Sequence, residues 1–137
     1  MNPSFLAAVL AIFIFALQIE ITPAASINVD YVSKLVNETV EIPLPAVATY
    51  RRKVLNANLK SENHIYRVCN GKNKAKCGFW ENVKTKKKVA SGKTTYNKNK
   101  KMMIVKNLLS TDFGTYMTGD KKKSFEVLEI VKQGWFG

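Results

Sequence analysis

The chain has 137 residues, which is room for one domain and no more. Its 22 Lys and Arg residues outnumber its 10 Asp and Glu residues, so the formal net charge is +12. Sixteen of the basic residues lie between Arg51 and Lys101. Such a charge attracts polyanions and acidic surfaces, although it also serves solubility alone.

The first segment has the pattern of a targeting signal. Phe5 to Leu17 is a 13-residue run without a polar side chain, which is short for a membrane span of about 20 residues. Small residues follow at 22–26 and suit a signal peptidase, so the sequence predicts a signal peptide over 1–26 that is cleaved after residue 24, 25 or 26. An uncleaved anchor is the alternative, but Gln18 and Glu20 end the apolar run and argue against it. The predicted product is secreted and extracellular, with no stable membrane span.

The remaining chain carries the marks of an extracellular domain. Residues 27–133 are the predicted domain and 134–137 a C-terminal tail, and this product has a net charge of +13 because Glu20 is lost with the signal. Asn37, in Asn-Glu-Thr, is an N-glycosylation acceptor. Cys69 and Cys77 would meet an oxidising compartment, which predicts a disulfide between them. A metal site is the alternative, but two Cys and His64 are too few ligands, so no metal is predicted.

Beyond residue 26 the pattern is that of an all-β domain. Short alternating runs are separated by Asn, Gly, Lys and Pro, and no helical periodicity is present. In the run from Thr39 to Leu44, the side chains of Val40, Ile42 and Leu44 are expected to face inward. The predicted strands are 27–32, 39–44, 47–54, 65–69, 77–83, 102–108, 115–118 and 124–131, with short edge strands around Val89 and Tyr96.

One spaced motif indicates the fold class. It reads Met103-x-Val105-x-x-Leu108-x-x-x-Asp112-x-Gly114-x-Tyr116. Met103 and Val105 share one face of a strand, and Leu108 is expected to close the core. The motif resembles the end of an immunoglobulin domain, where Asp-x-Gly-x-Tyr forms the tyrosine corner. The resemblance implies an antiparallel immunoglobulin-like β-sandwich in which Asp112 and Gly114 make the crossing between sheets and Tyr116 starts the next strand with its ring in the core. An unrelated β-hairpin is the alternative.

The chain departs from that family at three positions. Leu44 and Thr118 stand where the family has its two core cysteines, and Tyr50 is the candidate for the core tryptophan position. Four segments together resemble small secreted nematode proteins with an immunoglobulin-like, V-set-like domain: Tyr50-Arg51-Arg52, Tyr66-x-Val68-Cys69-Asn70, Cys77-Gly78-x-Trp80 and the Asp112 motif. That resemblance implies fold and secretion, and no mechanism.

No catalytic constellation is recognisable in the sequence. His64 is the single histidine, the acidic residues are scattered, and both cysteines are assigned to the disulfide. The sequence therefore predicts a protein that is not an enzyme and needs no cofactor.

Binding is the function that remains. The leading prediction is a monomeric module that recognises an extracellular protein, and the alternative is a binder of sulfated glycan or another anionic surface. Phe79, Trp80 and Tyr96 are expected in the core rather than as base-stacking platforms, which disfavours nucleic acid. The candidate polyanion-binding residues are Lys72, Lys74, Lys76, Lys86, Lys87, Lys88, Lys121, Lys122 and Lys123.

Overall fold

The computed structural model describes residues 19–24 and 29–134, which form nine strands and one short 3-10 helix, Ser110–Asp112. Most of the predicted signal peptide and residues 135–137 of the predicted tail lie outside the described residues. The strands are β1 Tyr31–Lys34, β2 Val40–Ile42, β3 Thr49–Leu55, β4 Ser61–Arg67, β5 Trp80–Asn82, β6 Lys93–Asn97, β7 Met102–Lys106, β8 Gly114–Thr118 and β9 Ser124–Glu129.

The strands form a two-layer sandwich. One sheet has the order β1-β9-β8-β3-β4-β5 and the other the order β2-β7-β6. In the larger sheet, β4 and β5 extend the strands β9, β8 and β3, as the added strands of a variable-type immunoglobulin domain extend its GFC sheet. The predicted immunoglobulin-like all-β fold is confirmed.

The pairing is antiparallel with one exception. β1 runs parallel to β9, with Tyr31 opposite Glu126 and Lys34 opposite Glu129. The prediction of an antiparallel sandwich is therefore wrong at this one edge. The predicted strand at 27–32 begins later, at Tyr31, and residues 27 and 28 lie outside the described chain.

The core lies between the sheets and follows the alternation of the strands. Val40, Ile42, Met103, Val105 and Leu108 are each 0% exposed. From the larger sheet, Tyr50, Trp80, Tyr116 and Val127 meet them. Tyr50 lies opposite Thr118 in the β3–β8 register. Trp80, from the edge strand β5, fills the core beside the tyrosine corner. Its ring meets the Tyr116 ring edge-on, with the two ring centres 5.6 Å apart.

Several strand bounds differ from the sequence prediction for a physical reason. β4 begins at Ser61, four residues before the predicted start, because Glu62 and His64 face a buried polar network rather than an apolar core. Val89 lies outside the strands, since Lys93–Asn97 provides the pairing with β7. Among the described residues, no helix is long and apolar enough to cross a membrane.

Candidate binding surface

Four connections of the chain meet at one end of the sandwich. They are residues 43–48, 68–79, 98–101 and 119–123, and together they are called the lysine end below. The backbone of Gly119 donates to the carbonyl of Thr49 at 2.9 Å, and the backbone of Val68 donates to Ala48 at 3.0 Å. The hydroxyl of Tyr96 donates to the carbonyl of Leu44 at 2.9 Å, which ties the smaller sheet to the same end.

The lysine end presents nine exposed lysines. Three lie on residues 68–79, three on 98–101 and three on 119–123. The structure thus places six of the nine candidate polyanion-binding lysines at this end and adds three lysines of the β6–β7 turn that were not among the candidates. The nine are Lys72, Lys74, Lys76, Lys98, Lys100, Lys101, Lys121, Lys122 and Lys123.

Two acidic groups near the lysine end are engaged locally. Asp120 accepts hydrogen bonds from the hydroxyl of Thr118 at 2.6 Å and the backbone of Lys122 at 3.0 Å. These bonds, the hydroxyl first, lower the pKa of the Asp120 carboxyl below its usual value. Glu41 lies 3.5 Å from the Nζ of Lys100, with both side chains largely exposed. The field of the nine lysines is therefore only partly offset.

The loop at 68–79 is held by covalent and polar contacts. Cys69 and Cys77 form a disulfide with a Cα–Cα distance of 5.0 Å. The Asn70 carboxamide oxygen accepts from the backbone of Lys72 at 2.9 Å, and the Asn73 side chain donates to Val68 at 3.0 Å. These bonds fix the backbone that carries three of the lysines.

The other two lysine-bearing turns are fixed by local hydrogen bonds. The Asn97 carboxamide oxygen accepts from the backbones of Asn99 and Lys100, both at 3.0 Å. In the β8–β9 turn, the backbone of Lys121 donates to the carbonyl of Thr118 at 2.8 Å. All three sets of lysines are thus carried by defined backbone while their side chains reach water.

The third predicted cluster lies elsewhere. After β5 the chain turns back, with the backbone of Lys86 donating to Asn82 at 2.8 Å. Lys88 forms an isolated bridge with Glu81. Lys86, Lys87 and Lys88 therefore run along the outer edge of β5, outside the four connections of the lysine end.

The predicted glycosylation residue lies at the opposite end of the sandwich. Asn37 is exposed in the turn between β1 and β2, and its backbone donates to the carbonyl of Leu108 at 2.8 Å. Leu108 precedes the crossing into β8, whose first residue, Gly114, pairs with Val54 at the far end of β3. A glycan at Asn37 would leave the lysine end uncovered.

Aromatic side chains near the lysines are already engaged. Tyr96 stacks on Tyr50 with ring centres 5.3 Å apart. Phe79 is half-buried and lies 5.5 Å from the Nζ of Lys88. Among the described residues of the four connections, Phe79 is the one aromatic.

His64 is buried in a polar network that the sequence analysis missed. Its Nε2 lies 2.8 Å from Glu62 Oε2, and its Nδ1 accepts from Arg52 Nε at 3.1 Å. Arg52 also donates to Asp112 and lies 4.4 Å above the Trp80 ring centre. With both ring nitrogens engaged, this histidine is suited to hold strands together rather than to exchange protons with a substrate. Across the part of the chain that the structure describes, no three His, Cys, Asp or Glu side chains form a metal-binding group.

The chain matches no protein-family model, and no curated protein matches it in sequence. It is similar to a solved structure of the extracellular domains of the voltage-gated sodium channel beta4 subunit, described as parallel homodimers that explain its role in cell-cell adhesion. The likeness covers 85% of this chain and 98% of that chain, at 12% identity and a TM-score of 0.43. At that level it carries no argument about the function of this chain.

Proposed function

We propose that this chain is a secreted immunoglobulin-like binding module that recognises an extracellular partner through the lysine end. Removal of residues 1–26 would release the domain, and the Cys69–Cys77 disulfide suits an oxidising compartment. Nothing in the proposal requires bond-making chemistry. The module acts by surface contact, with the lysines setting the sign of the charge it prefers.

The observation that carries the proposal is the grouping of nine exposed lysines on three turns of one end. Lysines spread evenly over the surface would serve solubility alone. Their concentration produces a local positive field that attracts anionic partners and raises the rate of encounter. The exposed position of Asn37 at the opposite end also supports it, because a glycan there would not obstruct the contact.

Two classes of partner fit this surface. An extracellular protein with an acidic patch is the partner that the sequence analysis favoured, and such a contact would depend on shape as well as charge. A sulfated glycan is the second class, and the arrangement of lysines in three sets supports it. Affinity for a glycan would fall more steeply with salt, since each neutralised charge releases a counterion.

The test is a binding screen with matched charge variants. The secreted protein would be offered to extracellular proteins and sulfated glycans at two salt concentrations. Changing Lys72, Lys74 and Lys76 to Gln removes three charges from the lysine end. Changing Lys86, Lys87 and Lys88 to Gln removes the same charge from the edge of β5. The first variant is expected to lose binding and the second to retain it; equal losses in both, or no bound partner of either class, would overturn the proposal.

A further inference from the structure

We infer that the ligand of the lysine end is a linear sulfated glycan, laid in the cleft between residues 46–49 and the start of the disulfide loop, beside Lys98 of the β6–β7 turn. The inference rests on the proposed function and names its partner class. It follows from the kind of cation present, the shape between the cations, and the absence of free aromatic rings among the described residues of the four connections.

The cations at this end are all lysines. The four connections contain no arginine; Arg67, which lines the cleft at the end of β4, donates to Glu81 at 2.9 Å. Protein interfaces are enriched in arginine and aromatic residues, and they are depleted in lysine. Their energy is concentrated in a few buried anchors of those types. Nine mobile point charges without such an anchor are a poor protein interface, whereas they suit sulfate groups that need a charge and no fixed geometry.

A cleft lies between residues 46–49 and the start of the disulfide loop. One wall is residues 46–49, and the other is the start of the disulfide loop with Asn70 and Asn73, while Lys98 closes one side. Thr49 also lines the cleft, and its carbonyl accepts a hydrogen bond from the backbone of Gly119 in the β8–β9 turn. An extended polymer lying in this cleft would contact Lys98 and would lie beside the disulfide loop, which carries a second set of lysines. The cleft therefore gives a chain-like anion a site to lie in beside these lysines.

The same end lacks the groups that single-stranded nucleic acid requires. Bases bind by stacking on exposed aromatic rings along a basic groove. Tyr96 is stacked on Tyr50 and hydrogen-bonded to Leu44, and Phe79 is half-buried beside Lys88. Sulfated glycans need no ring for stacking, so the described residues favour them over nucleic acid.

The experiment uses the secreted protein on immobilised heparin with salt elution. Three variants each change three lysines of one turn to Gln: Lys72, Lys74 and Lys76; Lys98, Lys100 and Lys101; Lys121, Lys122 and Lys123. Each is expected to elute at lower salt and to reduce the slope of log affinity against log salt by roughly 2–3, one counterion per lost contact. The control with Lys86, Lys87 and Lys88 changed should elute close to the unaltered protein. Urea unfolding midpoints verify that all four variants fold, since exposed turn residues contribute little to stability.

A competition experiment distinguishes a failure of this inference from a failure of the proposed function. A heparin oligosaccharide should displace the bound protein at lower concentration than single-stranded DNA of equal charge or an acidic extracellular protein. Displacement by DNA at the same concentration would overturn the glycan assignment. Binding of an acidic protein through the same lysines, without glycan binding, would also overturn it while leaving the proposed function intact. If no anionic probe binds the protein, both this inference and the proposed function are contradicted.

Discussion

The guanidinium of Arg52 and the carboxylate of Asp112 form an ion pair at 2.7 Å, with both side chains fully buried between the sheets. The carboxylate also accepts from the hydroxyl of Ser91 at 2.6 Å and from the backbones of Gly92 and Leu109, both at 2.8 Å. One aspartate therefore joins β3, the approach to β6 and the crossing into β8. A buried charge held this way stabilises the fold only while all its partners are present.

Asp112→Ala is expected to lower the free energy of unfolding by about 3–5 kcal/mol, because it leaves the Arg52 charge buried without its counterion. Urea denaturation measures the loss. Glu41→Ala is the matched control, since it breaks the exposed pair with Lys100, and it should cost less than about 1 kcal/mol. Similar losses in the two variants would mean that the buried network is not the stabilising element.

A second prediction concerns pH and the imidazole of His64. Arginine Nε can only donate, so His64 Nδ1 must accept from Arg52 and the proton must reside on Nε2, facing Glu62. Burial first, and then the Arg52 charge, lower the pKa of His64, while Glu62 and Asp112 act in the opposite direction. Protonation would place a second N–H against Arg52 in a buried site.

Because the folded pKa of His64 is lowered, the folded state favours the neutral ring. This contribution to stability is complete above the unfolded pKa of about 6.5 and is lost as the pH falls below it. Urea midpoints at pH 7.5, 6.5 and 5.5 should therefore decrease in that order. The hydrogen bond from His64 lowers the pKa of Glu62, which adds a further loss only in stronger acid. His64→Gln should flatten the dependence between pH 7.5 and 5.5; a flat profile in the unaltered protein would contradict the assignment.

The hydroxyl of Tyr116 is the subject of the third prediction. It donates to the carbonyl of Asp112 at 2.5 Å and accepts from Arg52 at 3.1 Å, and burial raises its pKa to about 12. Tyr116→Phe should lower the free energy of unfolding by about 1 kcal/mol, the net value of a typical hydrogen bond. Tyr31→Phe, at a ring that is 66% exposed, should leave it unchanged. An equal effect at both positions would argue against the tyrosine corner.

Gly114 allows β8 to approach β3 closely. Its φ is 149°, and a Cβ there would lie 2.2 Å from the carbonyl oxygen of Lys53, which is backbone and cannot move aside. Gly114→Ala should cost about 2–3 kcal/mol through this clash. Gly71→Ala is the control, because its φ is 83° but nothing lies within 4 Å, and its cost should be limited to the backbone strain of about 1 kcal/mol. Thermal or urea unfolding measures the stability of both variants. A larger loss of stability in Gly71→Ala than in Gly114→Ala would contradict this interpretation.

The parts of the fold that short sequence patterns specify were predictable. Alternation along a strand, and the fixed spacing of the motif, allow the inward-facing side chains to be assigned from the sequence. They are Val40, Ile42, Met103, Val105 and Leu108. The sandwich follows from this spacing together with the Asp112 motif.

Other features depend on distant contacts. Arg52 cannot be told apart from the other basic residues in the sequence, because its partner Asp112 lies 60 positions away. Trp80 is expected in the core from the sequence, but its contact with Arg52 depends on strands that are distant in sequence. The lysine end is similar: Lys98, Lys100 and Lys101 join the other lysines only because β6 and β7 turn at that end of the smaller sheet.

The last prediction concerns the disulfide of the loop at 68–79. Cys69 and Cys77 are separated by eight positions, so the bond closes a short loop. Changing both to Ser should lower the free energy of unfolding by about 2–3 kcal/mol, through the greater freedom of the unfolded chain. The domain should still fold, since the core contacts lie between the sheets. Limited trypsin digestion should then cut faster after Lys72, Lys74 and Lys76, whose loop loses its covalent closure. Cleavage in the turn at 98–101 is the internal control, because Asn97 still holds that backbone. Unchanged cleavage of the loop in the double variant would show that its asparagine hydrogen bonds suffice to order it and that the disulfide does not present the lysines.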